Sequence, residues 1–471
     1  MTVLVWARLR RWWSRPRVKP LDDWLGLVAW MVSRSLMVYV FVTQTRFISD
    51  DVQYYFTSID SDVWTATGDL SHSLVEYPVP VVWIMQAVRL VSGPSENVYV
   101  FTFALLLAAM DVTCCWVLWT RVSRLSSGLW MLFTFLIGPL VWFRIDLIPA
   151  VCVLVALKEL ERRPRLAGGA IALGAATKLW PALLIVPMLG LHRTGRRRGL
   201  GFLVTGLAIG LASLATEGFV RSASPLTWQS ARGLQVESVW ATGLMLARLG
   251  PHGHDWVVHL SRFNAYEIYG PGTGAWTTAA NVSMIVLIVL VVVLGWFIGL
   301  GGIGLPRHTL AAAGAHSGRR DRELAITLST LAIVCGVIIA NKTFSPQYMI
   351  WLTGPFAVLI AAQLRSEDRR HAIIMLVLGL VAAGLTQFEF PLNYSGLVQT
   401  ATPGITVTVV LAVRNVLMVV LTVYASVLAL RASWRVGLVH HRDVVVTPVE
   451  ESVSSTKSAL HSAAGAGGVT S

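Results

Sequence analysis

Apolar runs of about 20 residues recur along most of the chain, and a helix of that length crosses the roughly 30 Å core of a bilayer. The first run is 24–45. A polar stretch, 47–97, follows it and contains one short apolar segment, 78–92. That segment carries Arg89 and is too short to cross, so it is predicted to lie in the interface. Further spans are predicted at 98–120, 129–143 and 147–157. The run 166–191 is interrupted by Lys178-Leu179-Trp180-Pro181. Proline removes a helical hydrogen bond and disfavours helix in the residue before it, so this run splits into two short spans that meet at a turn. Then come 200–216, a long polar segment 217–278, and spans at 279–300, 323–340, 348–362, 372–386 and 405–430. Polar turns at 341–347 and 387–403 separate the last of these. The pattern predicts an all-α polytopic membrane protein with about twelve transmembrane helices. Residues 24–443 form its single transmembrane domain, and residues 444–471, rich in Ser, Thr, Ala and Gly, form a disordered tail.

Charge then orients the spans. The chain is 55% hydrophobic and 13% charged, with a mean hydropathy of +0.64, whereas soluble domains carry about 25% charged residues. Its net charge of +13 does not signal a nucleic-acid partner, because most Lys and Arg fall in segments that the positive-inside rule places in the cytoplasm. These include the basic terminus 1–23 and the groups Arg121/Arg124, Lys158/Arg162/Arg163/Arg165, Arg193/Arg196/Arg197/Arg198, Arg319/Arg320/Arg322 and Arg365/Arg369/Arg370. Both termini are then cytoplasmic, and 47–97 and 217–278 are the two large outer segments. The N-terminal stretch lacks a small-residue cleavage site and reads as an anchor instead of a removed signal. Cys114, Cys115, Cys152 and Cys335 lie in apolar spans and read as small buried hydrophobes, with neither disulfides nor a metal site indicated. Arg34 and Asp111 lie within spans. Asp111 reads as a buried hydrogen-bonded group, and Arg34 faces the protein interior or a polar cavity.

With this orientation, the groups able to do chemistry gather on the outer side. The stretch 47–83 holds Asp50, Asp51, Asp60, Asp62, Asp69 and Glu76, six of only 25 acidic residues, together with Tyr54, Tyr55 and Tyr77. The outer turns add Arg144 and Asp146, Lys178 and Trp180, Arg232, Gln235, Glu237 and Trp240, and Lys342, Gln347 and Tyr348. A cluster of carboxylates, cations and aromatics on a membrane surface suggests a site that handles a polar substrate there. Other readings of these residues stand beside that one. Asp51 can serve as a helix N-cap, Arg144 and Asp146 as a structural pair, Lys178 as a snorkelling cation and Glu237 as a partner of Arg232. Asp60-Ser61-Asp62 imitates a metal motif by chance, and His252, His254 and His259 form a polar loop surface.

Several of these residues fall in short ordered motifs. They are Asp51-x-x-Tyr54-Tyr55, Glu76-Tyr77-Pro78, Gly138-Pro139 with Arg144-x-Asp146, the run Ala176 to Pro181, Gln235-x-Glu237-Ser238, and Ser345-Pro346-Gln347-Tyr348. On these motifs the stretch 46–355 resembles the family-87 polyprenyl-phosphate-mannose-dependent α-mannosyltransferases of the glycosyltransferase C superfamily. Tyr77-Pro78-Val79-Pro80 departs from the adjacent prolines common in that family. The resemblance implies a cell-membrane enzyme whose catalytic face is extracytoplasmic. It implies transfer of mannose, with inversion to an α-mannoside, from a polyprenyl-phosphate donor to a glycolipid or lipoglycan acceptor of the phosphatidylinositol-mannoside or lipomannan type. Asp51 matches the family's catalytic aspartate, with Asp50 in reserve. Lys178, Arg144, Arg232 and Lys342 are candidates to bind the donor phosphate. Tyr54, Tyr55, Glu76, Tyr77, Asp146, Trp180, Gln235, Glu237, Trp240, Gln347 and Tyr348 are the substrate-binding candidates. No cofactor or metal is expected. The same resemblance extends to arabinofuranosyltransferases that use decaprenyl-phosphate arabinose. A secondary transporter would have a similar number of spans and broken helices, but no inverted repeat is visible and the polar residues collect at one face.

Overall fold

The computed structural model describes residues 20–63, 74–300, 317–362, 364–399 and 402–464. The basic residues of the N-terminal anchor, the last residues of the expected tail (465–471) and Asp69 lie outside them, as do the side chains of Asp60 and Asp62. Among the described residues the chain is all-α apart from one hairpin, and its apolar helices make it a multi-pass membrane protein. In order, the helices are α1 (Pro20–Thr43), α2 (Thr45–Val63), α3 (Val79–Ser92), α4 (Glu96–Arg121), α5 (Arg124–Ile137), α6 (Leu147–Lys158), α7 (Pro164–Thr177), α8 (Ile185–Met188) and α9 (Arg193–Ala231). After them come α10 (Thr242–Ala247), α11 (Thr273–Leu300), α12 (Ser317–Ala340), α13 (Thr353–Ala361), α14 (Ser366–Gln387), α15 (Tyr394–Val398) and α16 (Ile405–Ala464). Tight 3-10 turns at Pro139–Trp142, Trp180–Leu184 and Pro346–Leu352 join some of them.

Among the described residues, seven helices are long and apolar enough to cross a membrane: Asp23–Thr43, Glu96–Arg121, Arg193–Gln229, Thr273–Gly299, Arg319–Ala340, Ser366–Leu392 and Ile405–Val436. The other hydrophobic stretches form shorter helices, broken where Pro181 and Pro346 enter. The 14 residues of α3 make about 21 Å of helix, short of a bilayer core. The last helix continues to Ala464, into the segment 444–471 that the sequence leaves as a disordered tail.

Burial ranks the long helices. The apolar window of α12 is 83% buried, against 11% for α1 and 6% for α9, so α12 is the central post and the other two face lipid. On α11 a stripe that includes Ala280, Leu287, Val291, Leu294 and Ile298 is buried, while Ile285, Val286, Val289 and Val292 face outward. That is helical spacing of one packed face on a helix that is apolar all round. Helices α7 and α9 approach backbone to backbone. A Cβ at Gly168 would sit 1.9 Å from the Arg198 carbonyl oxygen, and one at Gly201 2.0 Å from that of Arg165, as expected where small residues drive packing in lipid. Helix α9 bends at Gly218, whose φ of 72° lies in the region that glycine enters without steric cost.

Two buried ion pairs fix the spans. Arg34 of α1 meets Asp111 of α4 through Nη2 at 2.9 Å and Nε at 3.1 Å. Asp111 also accepts from the indoles of Trp130 at 2.8 Å and Trp142 at 3.3 Å. Arg34 is therefore committed to the helix bundle. Arg414 of α16 pairs with Glu389 at 2.9 Å, both fully buried.

The hairpin is the departure from an all-helical fold. Strand β1 (Val257–Leu260) pairs antiparallel with β2 (Tyr266–Tyr269), and residues 234–236 add a short third edge through Ile268 N to the Leu234 carbonyl and Val236 N to the Tyr266 carbonyl. The β-branched and aromatic residues Val257, Val258, Tyr266, Ile268 and Tyr269, on either side of the short turn 261–265, are a weak hairpin signal that composition-based reading of 217–278 as a loop passes over.

Candidate active site

Helix α2 carries the acidic group. Ile48, Val52, Tyr55 and Ile59 are buried and lock one face of the helix to the core, which turns Asp51 and Tyr54 toward a polar cavity. The Tyr55 hydroxyl meets the Tyr77 hydroxyl at 3.0 Å. This ties α2 to the motif that closes the first polar segment. That motif is itself clamped by the bent half of α9: Arg221 donates to the Tyr77 and Leu74 carbonyls at 3.1 and 3.0 Å, and Ser224 donates to the Val75 carbonyl at 2.7 Å.

Arg144 follows the Pro139–Trp142 turn. Its Nε lies 2.8 Å from Asp51 Oδ2, and its Nη1 donates to the Ile48 and Phe143 carbonyls at 2.8 and 2.9 Å. A buried guanidinium with three fixed partners holds the carboxylate in one orientation. Asp51 keeps 23% side-chain exposure against 5% for Arg144, so the acid, not the base, is the group open to a substrate. Asp50 is exposed and is not among the residues lining the cavity. Arg144 and Asp146 are not paired with each other.

Asp146 belongs to a second unit. Lys178, in the extended break between α7 and the Trp180–Leu184 turn, places Nζ 3.5 Å from Asp146 Oδ2. Asp146 Oδ1 accepts from Trp351 Nε1 at 2.9 Å. The ammonium sits over the rings of Tyr77 at 5.4 Å and Tyr348 at 5.5 Å. Trp180, Trp351 and Tyr348 form a continuous stack, with centroid spacings of 4.7 and 4.2 Å. The aromatic faces and one carboxylate keep the lysine charged and aimed.

Two cavities adjoin at Lys178. One, of about 720 Å³, runs between α9, α11 and α12 past Leu183, Leu226, Met284, Ile288 and Val337. The other, of about 140 Å³, is polar and contains Asp51, Tyr54, Arg144, Gln235, Glu237 and Gln347. Glu76, Tyr77, Lys178, Trp228, Arg232 and Tyr348 line both. Lys342 and Trp180 line the apolar one. An apolar groove thus opens, through a ring of cations and aromatics, onto a pocket containing a carboxylate.

The second polar segment roofs the pocket. Gln235 anchors it, with its backbone N donating to the Lys342 carbonyl at 3.1 Å and its side-chain amide to Ser345 Oγ at 3.2 Å. Glu237 is buried and accepts from the Tyr394 hydroxyl at 2.8 Å, so its carboxylate is held by a tyrosine and not by Arg232. Its carbonyl accepts from Arg414 at 3.1 Å and Asn415 at 3.3 Å. Burial pushes the carboxyls of both Glu237 and Glu76 above the usual range. Trp240 lies outside both cavities, donating to the Ile339 carbonyl at 2.9 Å and packing on Trp276. The hairpin tip supplies Phe263, Asn264 and Tyr266 to the pocket wall, with Phe263 edge-on to Trp228 at 5.1 Å. These residues, and Phe390 and Tyr394 from the far end of the chain, escape a sequence reading. No local motif marks them, and only tertiary packing brings them to the site. Among the described residues no group of three His, Cys, Asp or Glu could hold a metal ion.

The sequence model of glycosyltransferase family 87 matches residues 77–313, half of the chain. No curated protein and no solved structure matches.

Proposed function

We propose, since the chain belongs to glycosyltransferase family 87, that it transfers mannose from a polyprenyl-phosphate donor to a hydroxyl of a glycolipid or lipoglycan acceptor on the extracytoplasmic side of the cell membrane. The observation that carries this reading is the meeting of an apolar groove and an acidic pocket at Lys178 and Arg232. A donor with a long hydrocarbon tail, a phosphate and a sugar has the same three-part order: tail in the groove, phosphate at the cations, sugar beside Asp51.

The chemistry then divides among named groups. Asp51 takes the proton of the acceptor hydroxyl as its oxygen bonds to the anomeric carbon. The bond from that carbon to the phosphate oxygen breaks, and the polyprenyl phosphate leaves with both electrons. Lys178, Arg232 and Lys342 offset the charge that builds on the leaving group. Attack opposite the leaving group inverts a β-linked donor to an α-mannoside. Arg144 is assigned a positioning role, because its fork is turned to Asp51 and two carbonyls. Asp146 holds Lys178 in the same way. Tyr54, Tyr55, Tyr77, Glu76, Gln235, Glu237 and Gln347 shape the sugar pocket. The phosphate leaving group makes a metal unnecessary to the scheme.

The test is turnover by the full chain in nanodiscs with polyprenyl-phosphate mannose and a mannosylated phospholipid acceptor. The expected result is an α-mannosylated product whose rate is unchanged by EDTA. Turnover only with decaprenyl-phosphate arabinose would replace the sugar, and turnover with neither donor would overturn the reading. Lys178→Gln is expected to lower kcat/KM for the donor about 10- to 100-fold, the worth of one charge-assisted hydrogen bond to phosphate. An unchanged donor dependence in a folded Lys178→Gln protein would remove Lys178 from the phosphate site.

A further inference from the structure

A third cavity, of about 810 Å³, lies at the other end of the molecule from the candidate active site. Helix α6 begins beside Asp146 and ends at Lys158, and α12 begins at the basic group Arg319/Arg320 and ends beside Lys342. The two sites are therefore separated by the length of these helices, about 18 Å for the 12 residues of α6 at 1.5 Å per residue.

The lining of this cavity is unbalanced. Its four carboxylates are each engaged: Glu161 by Arg198 at 3.0 Å, Asp321 by Arg365 at 3.4 Å, Glu323 by Arg319 at 3.2 Å and Asp368 by Arg435 at 3.7 Å. Lys158 is taken by Glu159 at 2.7 Å. Arg121 from the end of α4, Arg162 from the α6–α7 turn and Arg320 from the start of α12 also line the cavity. None of the three makes an ion pair with a described residue. Three exposed arginines from three separate elements thus line one space, which Leu154, Leu157 and Val358 also line. Like charges so gathered repel one another, and an anion between them removes that repulsion. The planar fork of arginine matches phosphate oxygens in pairs, and basic pockets between membrane helices suit phosphate headgroups.

We propose that Arg121, Arg162 and Arg320 form a phosphate-binding site at the end opposite the active site. Its ligand is a phosphate ester borne by an anionic membrane lipid or a free phosphate anion. The site is independent of the transfer reaction proposed above.

The experiment reads phosphatidylglycerol retention by native mass spectrometry. It uses the full chain released from nanodiscs of phosphatidylcholine with phosphatidylglycerol. A variant carrying Arg121→Gln, Arg162→Gln and Arg320→Gln is compared with a control carrying Arg193→Gln, Arg196→Gln and Arg370→Gln. The control removes equal charge from residues that do not line the cavity. The cavity variant is expected to weaken phosphatidylglycerol retention about tenfold or more, the loss of at least one charge-assisted contact, while the control retains it. Single Arg162→Gln, on an exposed turn, gives a smaller loss with wild-type melting and covers the case in which the triple variant unfolds. Displacement of the lipid by inorganic phosphate assigns the free anion as a ligand, and retention in its presence assigns the headgroup. Absence of retention by the wild type, retention unchanged in the cavity variants, or equal loss in the control overturns the site.

Discussion

Asp51→Asn is expected to lower turnover about 10²- to 10⁴-fold, the contribution of a positioned general base, while the protein folds and binds donor as before. The substitution keeps the size and planarity of the side chain but removes the lone-pair basicity that takes the acceptor proton. Folding should survive, because Arg144 retains two of its partners, the Ile48 and Phe143 carbonyls, and the amide in place of the carboxylate would still offer Nε a carbonyl oxygen. The measurement is single-turnover product formation with saturating donor, beside a donor-binding titration. A variant that turns over at the wild-type rate would remove Asp51 as the base. One that loses donor binding in parallel would instead assign it to substrate placement. Asp50→Asn is the internal control. That side chain is exposed and outside the pocket, and its replacement is expected to leave turnover within about twofold, the scale of a surface substitution.

The spans and the side-chain pairings are not equally legible in the sequence. Apolar runs report helices directly, because a lipid-facing backbone must satisfy itself within the segment, and Pro181 and Pro346 mark breaks wherever they fall. Charge likewise sorts segments into two ends. It does not say which acid meets which cation. Arg144 and Asp146 are two residues apart and invite pairing, yet the turn after Trp142 sends one to Asp51 on α2 and the other to Lys178 at the end of α7. Glu237 lies near Arg232 in sequence, yet Tyr394, more than 150 residues on, reaches it first. Such choices are made by how separate helices pack, and one sequence carries no record of that. The hairpin is different, since its β-branched and aromatic residues are a local signal. What hides it is the assumption that a His-, Trp- and Gly-rich segment between spans is a loop. Its tip brings Phe263, Asn264 and Tyr266 to the pocket, so the overlooked element is also the one that forms a wall of the site.

The buried pair of Arg34 and Asp111 supports the second large prediction, on stability instead of rate. Asp111→Ala is expected to destabilise the folded protein by about 3–5 kcal/mol, the cost of leaving one member of a buried ion pair without its partner. Arg34 would keep the Met131 carbonyl at 3.1 Å, Ser33 Oγ at 3.1 Å, Thr134 Oγ1 at 2.8 Å, a weak contact to Cys115 Sγ at 3.9 Å and the face of Trp30, none of them an anion. The indoles of Trp130 and Trp142 would lose their acceptor in the same step. Removing both charges is a different experiment. Arg34→Met with Asp111→Leu deletes the unpaired cation along with its acid, and two apolar side chains of similar bulk are expected to recover most of the loss. The measurement is unfolding in detergent of Asp111→Ala and, as a closed cycle that isolates the pair, of the wild type, Arg34→Met, Asp111→Leu and the double variant. If Asp111→Ala melts with the wild type, the pair does not hold α1 to α4. If the double variant is as unstable as the singles, the two tryptophan hydrogen bonds, and not the ion pair, are what Asp111 contributes. In either case the active site offers a separate check. Asp111 sits beneath the Pro139–Trp142 turn that delivers Arg144 to Asp51, so a folded Asp111 variant with reduced turnover would show that the turn transmits the position of the pair to the catalytic carboxylate.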